Sequence, residues 1–199
     1  ILISISFFFI ITIKSYIMFA LLPGVLIYLN FERLKTVKSG LVKFIVLPLV
    51  LSGSFALGQF LLFDLDDLFG RYSADRLLEE AAVQQQDLKR DVYGKNSFDI
   101  GEFDPTWSSV LGKAHLAINA AIFRPYLWES GSPVMYISGI ENLFIVIITV
   151  FLFVFRGGLI RFRRIFSDGF LIFCLLFTLL LAFGVGLSTS NFGALVRYR

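Results

Sequence analysis

The chain contains one cysteine and one histidine. A single thiol permits no internal disulfide and no cysteine metal site, and a single imidazole, His115, excludes a histidine cluster, so no metal centre is expected. No glycine-rich loop opens a helix and no H-E-x-x-H pair occurs. The common nucleotide-binding and zinc-hydrolase signatures are therefore missing, and neither a cofactor nor a nucleic-acid partner is indicated. Also absent is a basic stretch ahead of the opening "ILISISFFFIITIK". Without it, or a small-residue cleavage site, the opening is not a secretory leader. With no initiator methionine and an end at "NFGALVRYR", the sequence reads as a fragment of a longer multi-span protein.

Apolar sequence is abundant. It makes up 57% of the residues at a mean hydropathy of +0.79, above the ~45–50% of ordinary soluble domains. The apolar residues are blocked into runs, which marks a membrane protein rather than a soluble one with a large core. A spanning helix takes ~20 mostly apolar residues, and 43–63, 137–155 and 169–187 meet that length. Residues 1–29 are also long enough, but Lys14 interrupts them and Pro23-Gly24 follows. They read as one kinked helix or as two pieces joined at Lys14-Ser15. A lysine at that depth faces protein or snorkels to the surface. Ser52, Gly53, Ser54, Ala56 and Gly58 predict a close helix-packing face, and Cys174 a small packing residue.

The expected fold is an all-α, polytopic membrane helix bundle with a helical exoplasmic loop. Residues 1–30 form N-terminal membrane segments, 31–63 a basic loop and span, 64–136 the exoplasmic loop, and 137–199 a hairpin of two spans. Charge sets the orientation. Arg33, Lys35, Lys38 and Lys43 lie between the first two apolar blocks, and Arg156, Arg161, Arg163 and Arg164 between the last two. Short basic loops face the cytoplasm. Between them, 64–136 holds twelve acidic residues against seven basic ones, as suits the opposite side.

Within that loop, "SADRLLEEAAVQQQDLKR" predicts a helix over 74–90. Ser73 caps it, Asp75 lies in its first turn and Lys89-Arg90 at its end, with an apolar stripe of Leu77, Leu78, Ala81 and Leu88. "SSVLGKAHLAINAAIF" places Val110, Leu111, Ala114, Ile118, Ala121 and Ile122 at helical spacing. It is too short and polar to span, so it is expected to lie in the interface or re-enter it. "FRPYLWESGSP" follows it, and Pro125 and Pro133 force a turn there. Tyr126 and Trp128 are residue types that settle at headgroup level.

Candidate chemistry gathers at this turn. Arg124 with Arg197 and Arg199 would make an anionic-lipid pocket, since guanidinium forks hold phosphate oxygens bidentately. Tyr126 and Trp128 complete the substrate-binding candidates. Glu129, Glu141 and Asp104 are the candidate catalytic carboxylates. Glu141 sits within an apolar span, where an ionisable group is a functional candidate by default. The plainer account is an aromatic belt around a charged turn, with Glu141 favoured by a helix dipole.

At "IFRPYLWES", "SGIENL" and "NFGALVRYR" the chain resembles the multi-span inner-membrane proteins of bacterial surface-polysaccharide biosynthesis, the O-antigen polymerase and ligase-like proteins. The resemblance implies many helices, a large periplasmic loop with functional arginines, and an undecaprenyl-diphosphate-linked glycan as substrate beside membrane lipid. It implies localisation in the bacterial inner membrane. No defining motif aligns residue by residue, so no catalytic residue is carried over. The expected function is handling or transferring lipid-linked saccharide at the exoplasmic face. A mannosyltransferase-like enzyme is the second enzymatic reading; it needs an acidic motif after its first span, and Asp64, Asp66 and Asp67 follow a later one. A transporter or membrane scaffold is the third.

The orientation has a direct test. A reporter active only in the cytoplasm, fused after Asn96, is expected to stay silent, and activity there would reverse the assignment.

Overall fold

The computed structural model describes residues 17–18, 20–31, 45, 49, 52–53, 74–90, 96–155, 158 and 165–198. Every regular element among them is helical, as expected. These are α1 (Ala20–Phe31), α2 (Ala74–Leu88), α3 (Trp107–Gly112), α4 (Ala114–Phe123), a 3-10 turn at Leu127–Glu129, α5 (Pro133–Phe155), α6 (Gly169–Ser188) and α7 (Phe192–Tyr198). The chain forms two compact units: Ile1–Gly70 with Leu159–Leu181, and Arg71–Gly158 with Ala182–Arg199.

Two helices are long and apolar enough to cross a membrane, α5 with 23 residues at hydropathy 2.3 and α6 with 20 residues at 2.7. They cover the spans expected at 137–155 and 169–187. At 1.5 Å per residue they measure roughly 34 and 30 Å, close to the thickness of a hydrocarbon core. The polarity of α5 is inside out. It buries Met135, Ser138, Gly139 and Asn142, while Ile137, Ile140, Phe144 and Ile147 are each more than half exposed. Water would penalise that arrangement; lipid tails would not, and small residues at the contact let backbones approach closely.

In the first unit, α1 packs on the opening turns of α6 through glycine. A Cβ at Gly169 would fall 2.7 Å from Phe31, and one at Gly24 would fall 2.8 Å from Phe173. Tyr28 meets Phe170 edge-on at 6.4 Å. The α1 helix continues through Pro23-Gly24. The alternative turn at Lys14-Ser15 lies outside the described residues, as does most of the 43–63 span. Two positions of the predicted small-residue face are described. Ser52 and Gly53 are exposed, and no atom stands within 4 Å of a Cβ built on Gly53; Ser54, Ala56 and Gly58 lie outside the described residues.

In the second unit, α2 matches the helix expected over 74–90, with Ser73 outside the described residues. Its buried stripe includes Leu78 and a polar residue, Gln85, whose Nε2 donates to the Gly101 carbonyl at 3.4 Å. Lys89 lies just past the helix end and pairs with Asp99 at 2.6 Å. The Asp99 carboxylate also accepts the Gly101 N–H at 2.7 Å. Gly101 has φ 85°, a left-handed conformation that favours glycine, and the Lys113 ammonium lies over it. This loop then pairs with the segment between α6 and α7. The Phe98 N–H donates to the Ser190 carbonyl at 2.8 Å and the Phe192 N–H to the Asn96 carbonyl at 2.9 Å.

The stretch expected as one interfacial helix is two. Thr106 caps α3, and the chain turns at Lys113, after Gly112, to begin α4. The buried face is Val110, Ala117, Ala120 and Ala121; Leu111 is 61% exposed, so the predicted stripe is corrected. The reason is close approach. A Cβ on Gly186 would fall 1.9 Å from the Ala117 carbonyl oxygen, and only alanines on α4 leave room for a helix that near.

Two predictions follow from these contacts. Gly186→Ala should destabilise the second unit by about 1–3 kcal/mol through overpacking. Gly184→Ala, with nothing within 4 Å of its Cβ, should be neutral or stabilising, as read by thermal unfolding in detergent. The second concerns acid. Hydrogen bonding to Lys89 holds the Asp99 carboxyl below its ordinary range, against a smaller opposing effect of burial and with help from the Gly101 N–H. A depressed carboxyl contributes stability above its unfolded pKa of about 3.9 and loses it as pH falls through the lower folded value. Amide exchange at Gly101 should therefore rise at pH below about 4 and not in the neutral range. Asp99→Asn should remove that dependence.

Candidate functional site

The segment between α4 and α5 is held from three directions. Pro125 is buried, and its carbonyl accepts from the Asn142 Nδ2 at 3.0 Å. The buried Ser130 hydroxyl donates to the Met135 carbonyl at 3.1 Å. Gly139 lets Leu127 lie on α5, since a Cβ there would fall 3.2 Å from the Leu127 Cα. The polar and small residues that α5 turns inward thus form the seat of the turn.

Arg124 and Glu129 pair across this turn. The Arg124 Nε donates to both carboxylate oxygens at 3.1 and 3.2 Å, and its Nη2 donates to Oε1 at 2.5 Å. Glu129 Oε2 also accepts the Tyr126 N–H at 3.0 Å, closing the 3-10 turn. The two side chains are only 21% and 18% exposed. The guanidinium lies over the Phe98 ring at 5.0 Å and near Tyr126 at 5.9 Å. Phe98 stacks on Phe192 at 4.9 Å, which ties the arginine to the start of α7. Tyr126 stacks on Trp128 at 4.9 Å and donates its hydroxyl to Asn119 at 3.1 Å. Trp128 itself is 77% exposed.

Four candidates from the sequence, Arg124, Tyr126, Trp128 and Glu129, therefore form one cluster. Two of them are paired with each other: the cation proposed for phosphate holds the carboxylate proposed for catalysis. Glu141 is exposed on the flank of α5, Asp104 is exposed ahead of α3, and Arg197 is exposed in the last turn of α7. Arg199 lies outside the described residues. His115 is exposed on α4. Among the described residues no group of acidic, histidine and cysteine side chains could hold a metal.

Sequence reasoning missed Phe98, the platform under Arg124, because nothing local to "NSFDI" marks it. It also missed Asn142 as the bond that seats the turn, although its place one residue after Glu141 drew attention to the right helix turn. Asn142→Leu should leave the buried Pro125 carbonyl without its donor and lower stability by about 1–3 kcal/mol. It should also raise amide exchange at Tyr126 and Glu129. Unchanged protection there would mean that the turn is seated by something else.

No protein-family model, no curated protein and no solved structure matches the chain.

Proposed function

We propose that this is an integral, multi-pass protein of the bacterial inner membrane that handles or transfers lipid-linked saccharide at the exoplasmic face. The observation that carries the reading is the cluster at the head of α5. A partly exposed guanidinium, fixed on Phe98, stands with Tyr126 and Trp128 where an apolar helix begins. A lipid phosphate would meet a fork there and a saccharide or headgroup would meet exposed aromatic faces. The charge segregation of the loops and the inside-out polarity of α5 support the membrane setting.

In this reading the arginines Arg124, Arg197 and Arg199 neutralise a diphosphate as it departs, which is electrostatic stabilisation of developing charge. Removing a proton from the acceptor hydroxyl requires a base within hydrogen-bond reach. Glu141 and Asp104 have exposed carboxylates for it, whereas both oxygens of Glu129 are engaged.

The test is a deletion in the source strain. Loss of the gene should reduce surface polysaccharide and leave lipid-linked saccharide to accumulate. Wild-type protein should restore it, and Arg124→Lys should fail by about tenfold or more while still being inserted. Normal polysaccharide and no accumulation in the deletion strain would overturn the reading.

A further inference from the structure

We infer that Arg124 takes a phosphoryl oxyanion on the Nη1/Nη2 edge of its guanidinium, and that Glu129 is the counter-charge that orients this edge and sets its affinity. This rests on the reading above that Arg124 meets a phosphorylated ligand.

Arginine offers five N–H groups in a planar fork. Glu129 takes the Nε–H, shared between its two oxygens, and one Nη2–H. The two protons on Nη1 and the second on Nη2 have no hydrogen-bond partner among the described residues. One proton of Nη1 and the second on Nη2 lie along one edge, the geometry that grips two oxygens of one phosphorus. The Phe98 ring lies under the guanidinium, its centroid 5.0 Å from the guanidinium carbon, and the carboxylate holds the other edge.

Glu129 fits a positioning role better than a catalytic one. A carboxylate has about four lone-pair sites. Here Oε1 accepts from Nε and Nη2, and Oε2 from Nε and the Tyr126 N–H. None is left to receive a proton from a substrate. The pair also has no net charge, so the site binds an anion through an oriented fork whose attraction the carboxylate tempers. A carrier or transferase gains from that, because a product that is a phosphate must leave.

A lipid-linked diphosphate, an anionic phospholipid headgroup and free phosphate share this chemistry, and the experiment separates them. The protein is placed in nanodiscs of zwitterionic lipid with Trp107→Phe, which leaves Trp128 as the reporter among this sequence's two tryptophans. Inorganic phosphate, phosphatidylglycerol added to the nanodisc, and a polyprenyl diphosphate are titrated by Trp128 emission, with dialysis of labelled phosphate as a second measurement. Arg124→Lys should weaken binding by about tenfold or more, since it keeps the charge and loses the fork. Glu129→Gln should tighten it by about tenfold, since a repelling unit charge is removed. Phe98→Leu, which leaves both charges in place, should weaken it several-fold and serves where Glu129→Gln does not elute as a single species. Equal responses to phosphate and phosphatidylglycerol, abolished by Arg124→Lys, would keep the edge site and sink the lipid-linked saccharide reading. Unchanged or weaker binding in a folded Glu129→Gln protein would overturn the counter-charge role. No response to any probe in wild type or Glu129→Gln would overturn the site itself.

Discussion

An arginine that is only 21% exposed at the head of an apolar helix has to be neutralised, and the second unit is organised around that need. A half-buried cation loses much of its hydration, and its carboxylate partner compensates only if the geometry is good and the remaining lone pairs are filled. Here they are filled by a fork and by a backbone N–H from the same turn. The pair then constrains the backbone around it: Glu129 can reach both Arg124 and Tyr126 N–H only if residues 127–129 wind into one 3-10 turn. That turn presses Leu127 onto α5, where Gly139 leaves room for it. One ion pair thereby dictates a turn, and the turn dictates where α5 must be small. Removing either partner would leave a part-buried charge without its counter-ion.

The same logic of close approach recurs wherever helices meet. Gly24, Gly139, Gly169 and Gly186 each lie against another segment so tightly that a methyl would collide. In a membrane, where lipid offers no hydrophobic incentive for helices to associate, dispersion at short range would have to supply it, and only small residues bring enough atoms into range. Large side chains are left to face outward, as they are along α5. The α4 helix follows this rule although it is too short to span. Its buried face is alanine, and its isoleucines are pushed to the sides.

Much of this fold is legible in the sequence, and the division has a physical basis. Long apolar runs specify helices by composition alone, because backbone groups in lipid must be satisfied within the segment; α5 and α6 therefore lie where hydropathy placed them. The α2 helix was equally plain from its stripe and its charged ends. The fate of "SSVLGKAHLAINAAIF" was not. Its isoleucines and leucine make the larger apolar surface, and a periodicity argument counts them as the buried face. Burial was decided instead by the room available under Gly186, which is a property of a partner 69 residues from Ala117. The site divides in the same manner. "FRPYLWES" announced itself by composition, but Phe98 and Asn142 act at sequence distances of 26 and 17 residues from their partners, Arg124 and Pro125. No local pattern encodes such pairs.

The belt-and-turn account and the binding-site account make different demands on Phe98. A belt needs Tyr126 and Trp128 near the surface, and they would serve there whatever lay beneath Arg124. It gives no reason for a loop from 96–100 to be anchored to the far side of the unit by two backbone hydrogen bonds around Ser190 and Phe192. Nor does it explain why that loop delivers an aromatic ring under the guanidinium and a second ring, Phe192, under the first. Neutralising a charge requires only Glu129. A ring under the guanidinium adds a cation–π contact, and Phe98, itself stacked on Phe192, supplies that ring. A fixed plane matters to a fork that must present two donors to the same anion. The 96–100 loop is held by those two backbone hydrogen bonds and by the buried Phe98–Phe192 stack, so the contacts that pack the unit together also place a ring under the guanidinium.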